Sequence, residues 1–336
     1  MARFDPELQI RFRILTANPR WKVPVMDTAT QFFCHSRRDD DVPRPSTRRG
    51  FLGAAALLAL GAPTRAVELP DMSTVSPDLG TPLCEEGPPR PGRRVRQQLP
   101  AYRGTGVYHT LYLPTDWKPG RLYPVLVEYA GNGPYMNRFG DVSTGRPEGS
   151  SLGFGLSGGA GYVWVCLPYV NSSTREIQTQ WWGDADATTS YAREATPWLC
   201  REYGGDPGRV ILCGFSRGAI GCGYLGLRDD ATSALWSGFV AYSHFDGVRP
   251  WPYAGAEPGA AIGRLKRLGN RPFLITDEAS TRATREFLTQ HQVAGRFTYV
   301  DSPFRNHNDA WLLRPTPERD RIRKWLRSAV GSGDLH

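Results

Sequence analysis

The stretch Gly208-Arg-Val-Ile-Leu-Cys-Gly-Phe-Ser-Arg-Gly-Ala-Ile-Gly-Cys222 decides the fold of this chain. Val210 to Cys213 reads as a buried apolar strand. It runs into the pattern Gly214-Phe215-Ser216-Arg217-Gly218 and then into a helix that opens on small residues. A Gly-x-Ser-x-Gly pattern between a strand and a helix marks a sharp, strained turn with the serine exposed at its apex. The glycines two positions either side of Ser216 carry no Cβ where strand and helix nearly touch, and Ala219 and Gly221 keep the first helical turn thin. Five residues with three fixed recur by chance, so the alternative is a glycine-rich strand end with no chemistry. The strand before and the helix after are the context that favours a functional turn.

The chain has 336 residues, with 40% hydrophobic and 11% aromatic residues, enough for one large α/β domain and a tail. The formal charge of +8 is uneven. Residues 1–66 carry 11 Lys/Arg against 6 Asp/Glu, while residues 67–336 carry 30 against 27. A body so nearly balanced does not call for nucleic acid as a partner. The six cysteines, at positions 34, 84, 166, 200, 213 and 222, form no Cys-x-x-Cys pair, so no metal site is expected. Cys166 and Cys213 fall inside apolar strands, where a buried free thiol is the ordinary state.

Residues 46–66 combine Arg48-Arg49, an apolar run from Phe51 to Ala62 and small residues before Val67. A membrane span needs about 20 apolar residues. This shorter run suits a cleavable export signal, and the paired arginines followed by Phe51-Leu52 resemble the twin-arginine type. The expectation is a protein exported to the periplasm or beyond, cut near Ala66, with no stable membrane insertion afterwards. Met26 offers an alternative start. Residues 1–66 are therefore set apart as extension and signal, and the Pro-rich stretch 67–104 as linker or wrapping arm; the domain proper is expected over 105–336.

From Tyr108 onward strands alternate with helices, which predicts a mostly parallel central sheet with helices on both faces. Strands are expected at Tyr108 to Leu113, Tyr123 to Tyr129, Tyr162 to Leu167, Val210 to Cys213, Leu235 to Tyr242, Pro272 to Thr276 and Arg296 to Val300. Residues 185–203 place Ala192, Ala195, Leu199 and Tyr203 on one helical face, stopped by Gly204-Gly205. Further helices are expected near Ile262 to Leu268, over 281–293, and at the end, where Ile322, Trp325, Leu326 and Val330 share a stripe. The Gly/Ser-rich insertion 134–160 shows no periodicity and reads as a lid or binding loop.

A serine hydroxyl becomes a nucleophile when a histidine takes its proton and an acid holds that histidine. In the α/β-hydrolase arrangement the order along the chain is serine, acid, histidine. Counting strands from Ser216 puts Asp277 at the end of the second and His307 just past the third, at the sheet edge where open α/β sheets bind ligands. Glu278 would face away from Asp277 if the strand continued. Asp301 reads as a turn residue. A compact Ser216, His244, Asp246 grouping has the wrong order. Two backbone donors are needed for an oxyanion: Arg217 supplies one amide, and Gly131-Asn132, after the strand at 123–129, supplies the other. Trp181-Trp182 would sit on the same rim as a platform for an aromatic or sugar-bearing substrate, or pack the helix start, with Asp184 or Asp186 as its cap.

Residues from about 105 to 330 resemble an α/β-hydrolase-fold serine esterase, nearest in layout to secreted esterases of the polyhydroxybutyrate-depolymerase and feruloyl-esterase type. The segment Tyr203-Gly-Gly-Asp-Pro-Gly-Arg-Val-Ile-Leu-Cys-Gly-Phe-Ser-Arg-Gly218 carries that resemblance. It implies cleavage of a small-molecule or polymer-borne ester without metal or organic cofactor; an inactive binding module or a serine peptidase of the same fold are the alternatives. The chain departs from the pattern in lacking a His-Gly-Gly-Gly loop and in having Arg217 after the serine. In an oxidising compartment Cys84 could pair with Cys200 or Cys222.

Overall fold

Alternating apolar strands and helices do assemble into one doubly covered sheet. The computed structural model describes residues 68–278 and 280–331. The N-terminal extension, with its paired arginines, apolar run, Cys34 and expected cleavage point, lies outside the described residues.

In chain order the elements are β1 (Cys84–Glu85), β2 (Arg94–Gln97), β3 (His109–Tyr112) and β4 (Tyr123–Tyr129). A small hairpin, β5 (Tyr135–Met136) and β6 (Val142–Ser143), then precedes α1 (Leu152–Ser157) and β7 (Val163–Leu167). A second hairpin, β8 (Tyr169–Asn171) and β9 (Glu176–Gln178), leads to α2 (Ala185–Tyr203), β10 (Gly205–Phe215), α3 (Arg217–Tyr224) and α4 (Asp230–Ser233). The chain closes with β11 (Gly238–Tyr242), α5 (Pro258–Leu265), β12 (Pro272–Asp277), α6 (Arg282–Gln290), β13 (Arg296–Asp301) and α7 (Pro317–Ala329).

Nine of these strands form one sheet in the order β1-β2-β3-β7-β4-β10-β11-β12-β13. All neighbours run parallel except β3, which is antiparallel to both β2 and β7. All seven residues of β4 are buried, and alternate side chains feed two separate cores. Val125, Val127, Val210 and Leu212 join the core beneath α2, α3, α5 and α6, while Leu126, Ile211 and Cys213 join the one beneath α1 and α7. Each fully buried aliphatic side chain of this kind contributes about 1.5–3 kcal/mol, which is why the central strands read as continuous apolar runs. A parallel sheet covered on both faces, with a strand-serine-helix elbow at its centre, is the α/β-hydrolase fold.

Local sequence explains the element ends. Asp184 caps α2 by accepting from the Ala187 amide at 2.9 Å, and Gly204, at φ 71°, ends it in the left-handed region. Two stretches hold more structure than their sequence announced. The insertion 134–160 contains the β5–β6 hairpin and α1, whose Leu152, Phe154 and Leu156 are buried. The stretch expected to be linker or arm supplies β1 and β2 to the sheet edge, where Arg94 pairs with Tyr112 in register.

Residues ahead of β1 contact the last described segment of the chain. The Met72 amide donates to Asn306 at 2.7 Å, the Asp78 and Leu79 amides donate to Leu313, and Arg319 grips Asp78 with two prongs at 2.5 and 2.9 Å. That guanidinium holds the Asp78 carboxyl below its ordinary range. Cys84, Cys200 and Cys222 are all free in this structure, the last two buried.

The elbow glycines are fixed by contact. A Cβ on Gly218 would overlap the carbonyl oxygens of Tyr129 and Ala130, and one on Gly214 would overlap the Gly218 carbonyl. Backbone cannot yield as a flexible side chain does, so Gly218→Ala should destabilise the protein by about 2–3 kcal/mol, the upper range for overpacking. Denaturant unfolding measures it; a variant as stable as the parent would mean that β4 and α3 are not in close contact.

Candidate active site

The apolar run of β10 ends at Phe215, and the chain turns through Ser216 at φ 55°, ψ −120° before entering α3. A non-glycine residue held at positive φ is strained, and here the surroundings over-determine it. The Ser216 amide donates to the Tyr242 carbonyl of β11 at 2.9 Å, and Trp181 Nε1 donates to the Arg217 carbonyl at 2.9 Å. Ser216 is only 2% exposed.

His307 lies in the loop after β13. Its Nε2 sits 2.9 Å from Ser216 Oγ, and its Nδ1 sits 2.8 Å from Glu278 Oε1. With Nδ1–H facing the carboxylate, Nε2 is the lone-pair nitrogen that accepts from Ser216. The ring is packed by Phe215 at 4.8 Å, Tyr135 at 5.3 Å and His244 at 5.4 Å between centroids. Its backbone amide donates to Asp141 Oδ2 at 3.0 Å, and the other oxygen of Asp141 accepts from Asn306 at 3.1 Å.

The carboxylate hydrogen-bonded to His307 is therefore not that of Asp277, the residue expected from the sequence. Asp277 is the last residue of β12, paired with Asp301, and it lines a neighbouring cavity with His244, Arg249 and Arg282. The carboxylate on His307 belongs to Glu278, one residue further on. Strand alternation predicts that these two residues face opposite ways, but the strand ends at Asp277 and the chain bends at Glu278. The longer glutamate side chain reaches the histidine from that bend.

Sequence reasoning also missed Ser243 and Asp141. Ser243, at φ 84° just past β11, places its Oγ 2.9 Å from His307 Nδ1 and donates to Glu278 Oε1 at 3.1 Å. Its position at the C-terminal end of a central strand was the available signal. Asp141 had none, because the 134–160 insertion carries no periodic pattern. The competing His244-Asp246 grouping is not assembled: Asp246, 1% exposed, is held by Arg264 at 2.8 and 3.0 Å and by Tyr253 at 3.3 Å. Asp301 accepts from the Thr281 amide at the start of α6. His109 is wholly buried against Tyr191.

Of the expected oxyanion donors, the Arg217 amide has no acceptor among the described residues. Gly131 follows β4, and a Cβ there would lie 2.9 Å from both the Phe215 ring and Ser143 Oγ, so only glycine fits beside the elbow. Its carbonyl accepts from Ser143 at 2.9 Å. Asn132 is 7% exposed, and neither polar atom of its side chain has a partner among the described residues. Trp181 is not the exposed platform expected. It is fully buried against Tyr224 at 4.6 Å and Tyr253 at 4.8 Å, bracing the start of α3; Trp182 is half-buried and stacked on Tyr253.

Fold and constellation together define a chain of the α/β-hydrolase fold with a serine, a histidine and a glutamate joined by hydrogen bonds at the C-terminal edge of its sheet. No family model and no curated relative matches the sequence. Among solved structures the chain is similar to a ferulic acid esterase from Anaeromyces mucronatus (15% identity, 66% of this chain and 86% of that one, TM-score 0.46). It is also similar to an S-formylglutathione hydrolase from Agrobacterium tumefaciens (14%, 71% and 95%, TM-score 0.46). A third likeness is to a thermostable esterase (14%, 69% of this chain, TM-score 0.44), of whose length this chain covers 61%.

The position of the acid is open to a direct test. Glu278→Gln should lower kcat by about 10³–10⁴-fold, because an amide presents no anion to hold the imidazole tautomer or stabilise the imidazolium. Asp277→Asn should cost less. Steady-state rates on one ester, with circular dichroism to confirm folding, compare the two; a larger loss for Asp277→Asn would return the acid to that residue.

Proposed function

We propose that the protein is a serine hydrolase that cleaves carboxylic esters through an acyl-enzyme on Ser216. The observation that carries this reading is the continuous chain from Ser216 Oγ to His307 Nε2, at 2.9 Å, and from His307 Nδ1 to Glu278, at 2.8 Å. His307 takes the Ser216 proton as Oγ bonds to the ester carbonyl carbon. The tetrahedral oxyanion is met by the Arg217 amide and by an amide of Gly131 or Asn132. The carbonyl re-forms, the C–O bond to the alcohol breaks, and His307 passes its proton to the leaving oxygen. Water then attacks the acyl-enzyme with His307 again as base, releasing the acid and restoring Ser216. Glu278 fixes the ring throughout, and Ser243 donates to the same carboxylate. No step of this cycle calls for a metal or an organic cofactor.

The test is chemical labelling. A fluorophosphonate probe should modify the protein at one site and leave Ser216→Ala unlabelled, and the parent should turn over a short p-nitrophenyl ester. Labelling of Ser216→Ala at the same stoichiometry would refute Ser216 as nucleophile. A protein neither labelled nor active would point instead to a binding module of this fold.

We also propose export, on the order of Arg48-Arg49, the Phe51–Ala62 run and the small residues before Val67. Mass spectrometry of protein from the native cell envelope should find a mature N-terminus near Val67. An intact N-terminus recovered from the cytoplasm would refute it.

A further inference from the structure

The residue after the nucleophile is an arginine whose charge nothing in the described structure neutralises. Arg217 is half-buried at the start of α3, and its guanidinium stacks on the Trp251 ring at 4.8 Å from the centroid. Among the described residues it makes no ion pair and no side-chain hydrogen bond, and its Nε is buried with no acceptor. Every other arginine of comparable burial is provided for: Arg264 holds Asp246, Arg319 holds Asp78, and Arg323 donates to the Gly155 carbonyl. Stacking on an indole satisfies the face of a guanidinium and leaves its edge, where the N–H donors lie, unused. Burial without an acceptor costs free energy, and desolvation accordingly lowers the pKa of Arg217.

A chain of ring contacts links this guanidinium to the histidine beside Ser216. The Trp251 ring meets His244 at 5.2 Å and His244 meets His307 at 5.4 Å, so the guanidinium belongs to the ring of side chains around the catalytic histidine. Burial, with the charges of His307, Arg217 and Arg249, pushes His244 down to about 2 and keeps it neutral. Glu278 is already engaged by His307 and Ser243. Beside Trp251 and His244 opens a cavity of about 190 Å³, also lined by Arg249, Arg282 and Asp277. The residue next to Ser216 thus carries an unpaired guanidinium, stacked on a tryptophan that also lines a cavity containing two further arginines.

We propose that the edge of Arg217 receives a carboxylate of the substrate, and that the preferred substrates are esters carrying a free carboxylate close to the scissile bond. The proposal rests on the ester-hydrolase reading of Ser216. It names a property of the substrate that the fold does not imply. A planar guanidinium matches a carboxylate with two parallel hydrogen bonds, and the partly desolvated position strengthens them relative to water.

Two substrate pairs distinguish which side of the ester bears the charge. 4-Nitrophenyl hydrogen glutarate against 4-nitrophenyl pentanoate tests a carboxylate on the acyl side. 4-Carboxyphenyl pentanoate against its methyl ester tests one on the alcohol side. For at least one pair the ratio of kcat/KM, charged over neutral, should fall about tenfold or more from the parent to Arg217→Gln, as expected for a lost charged hydrogen-bonded pair. Arg217→Lys should keep part of that preference, and 0.5 M NaCl should reduce it in the parent. The ratio cancels any change that the substitution makes to the oxyanion site, which acts equally on both esters. Thermal unfolding confirms that each variant is folded. Equal ratios in parent and Arg217→Gln for both pairs would overturn the proposal. If the parent hydrolyses none of the four, the esterase reading fails separately. The carboxylate site is then decided by ligand-observed NMR with monomethyl glutarate on the Ser216→Ala protein: binding lost in Ser216→Ala/Arg217→Gln supports it, and binding absent or unchanged refutes it.

Discussion

The backbone of Gly218 lies so close to the end of β4 that its missing Cβ would occupy the space of the Tyr129 and Ala130 carbonyl oxygens. Everything at the active edge follows from that approach. It lets α3 start directly above the sheet, accompanies the positive-φ turn at Ser216, and sets Gly131 against the Phe215 ring beside the elbow. Trp181, anchored on the Arg217 carbonyl and packed on Tyr224, closes the same joint from the other side. The nucleophile is therefore held by backbone geometry that side-chain motion does not relax.

The histidine is held differently, by many weak partners from distant parts of the chain. Glu278 and Ser243 fix its ring nitrogen, Phe215 and Tyr135 flank its faces and edge, and Asp141 takes its amide. Asp141 also accepts from Asn137, Asn306 and Asn308, so one carboxylate ties the insertion after β4 to the loop after β13. Such redundancy suits the proton-shuttling role proposed for His307, which requires the ring to keep its position.

Much of this was legible in the residues. The elbow, the central strands, the bounds of α2 with its Gly204 stop, and the strand ends that carry the acid and the histidine all follow from local rules of period and backbone freedom. The misses share a cause, in that each lies where a local rule expires. Alternation in β12 stops at Asp277, so it could not choose between Asp277 and Glu278. Within 134–160, α1 is stabilised by burial against other elements rather than by its own pattern, while the β5–β6 hairpin and the two strands of the Pro-rich arm are defined by backbone pairing that no apolar period announces. Trp181 reads as a rim residue only as long as α3 and Tyr253, which cover it, are not in view.

The arm ahead of β1 has a temporal meaning. Its partners, Arg305, Asn306, Leu313 and Arg319, lie more than 230 residues further along, and the Met72 to Asn306 bond spans 234 positions. Contacts of such separation form after the loop between them has been closed, and they are the slowest to be made. The first described residues to leave the ribosome thus wait for nearly the last, and they clasp the same loop that presents His307. A chain synthesised only as far as the elbow lacks His307, which arrives with the segment over which the arm folds back. The serine and the histidine that meet at the sheet edge are thus joined only after the segment that carries the arm's partners has been made.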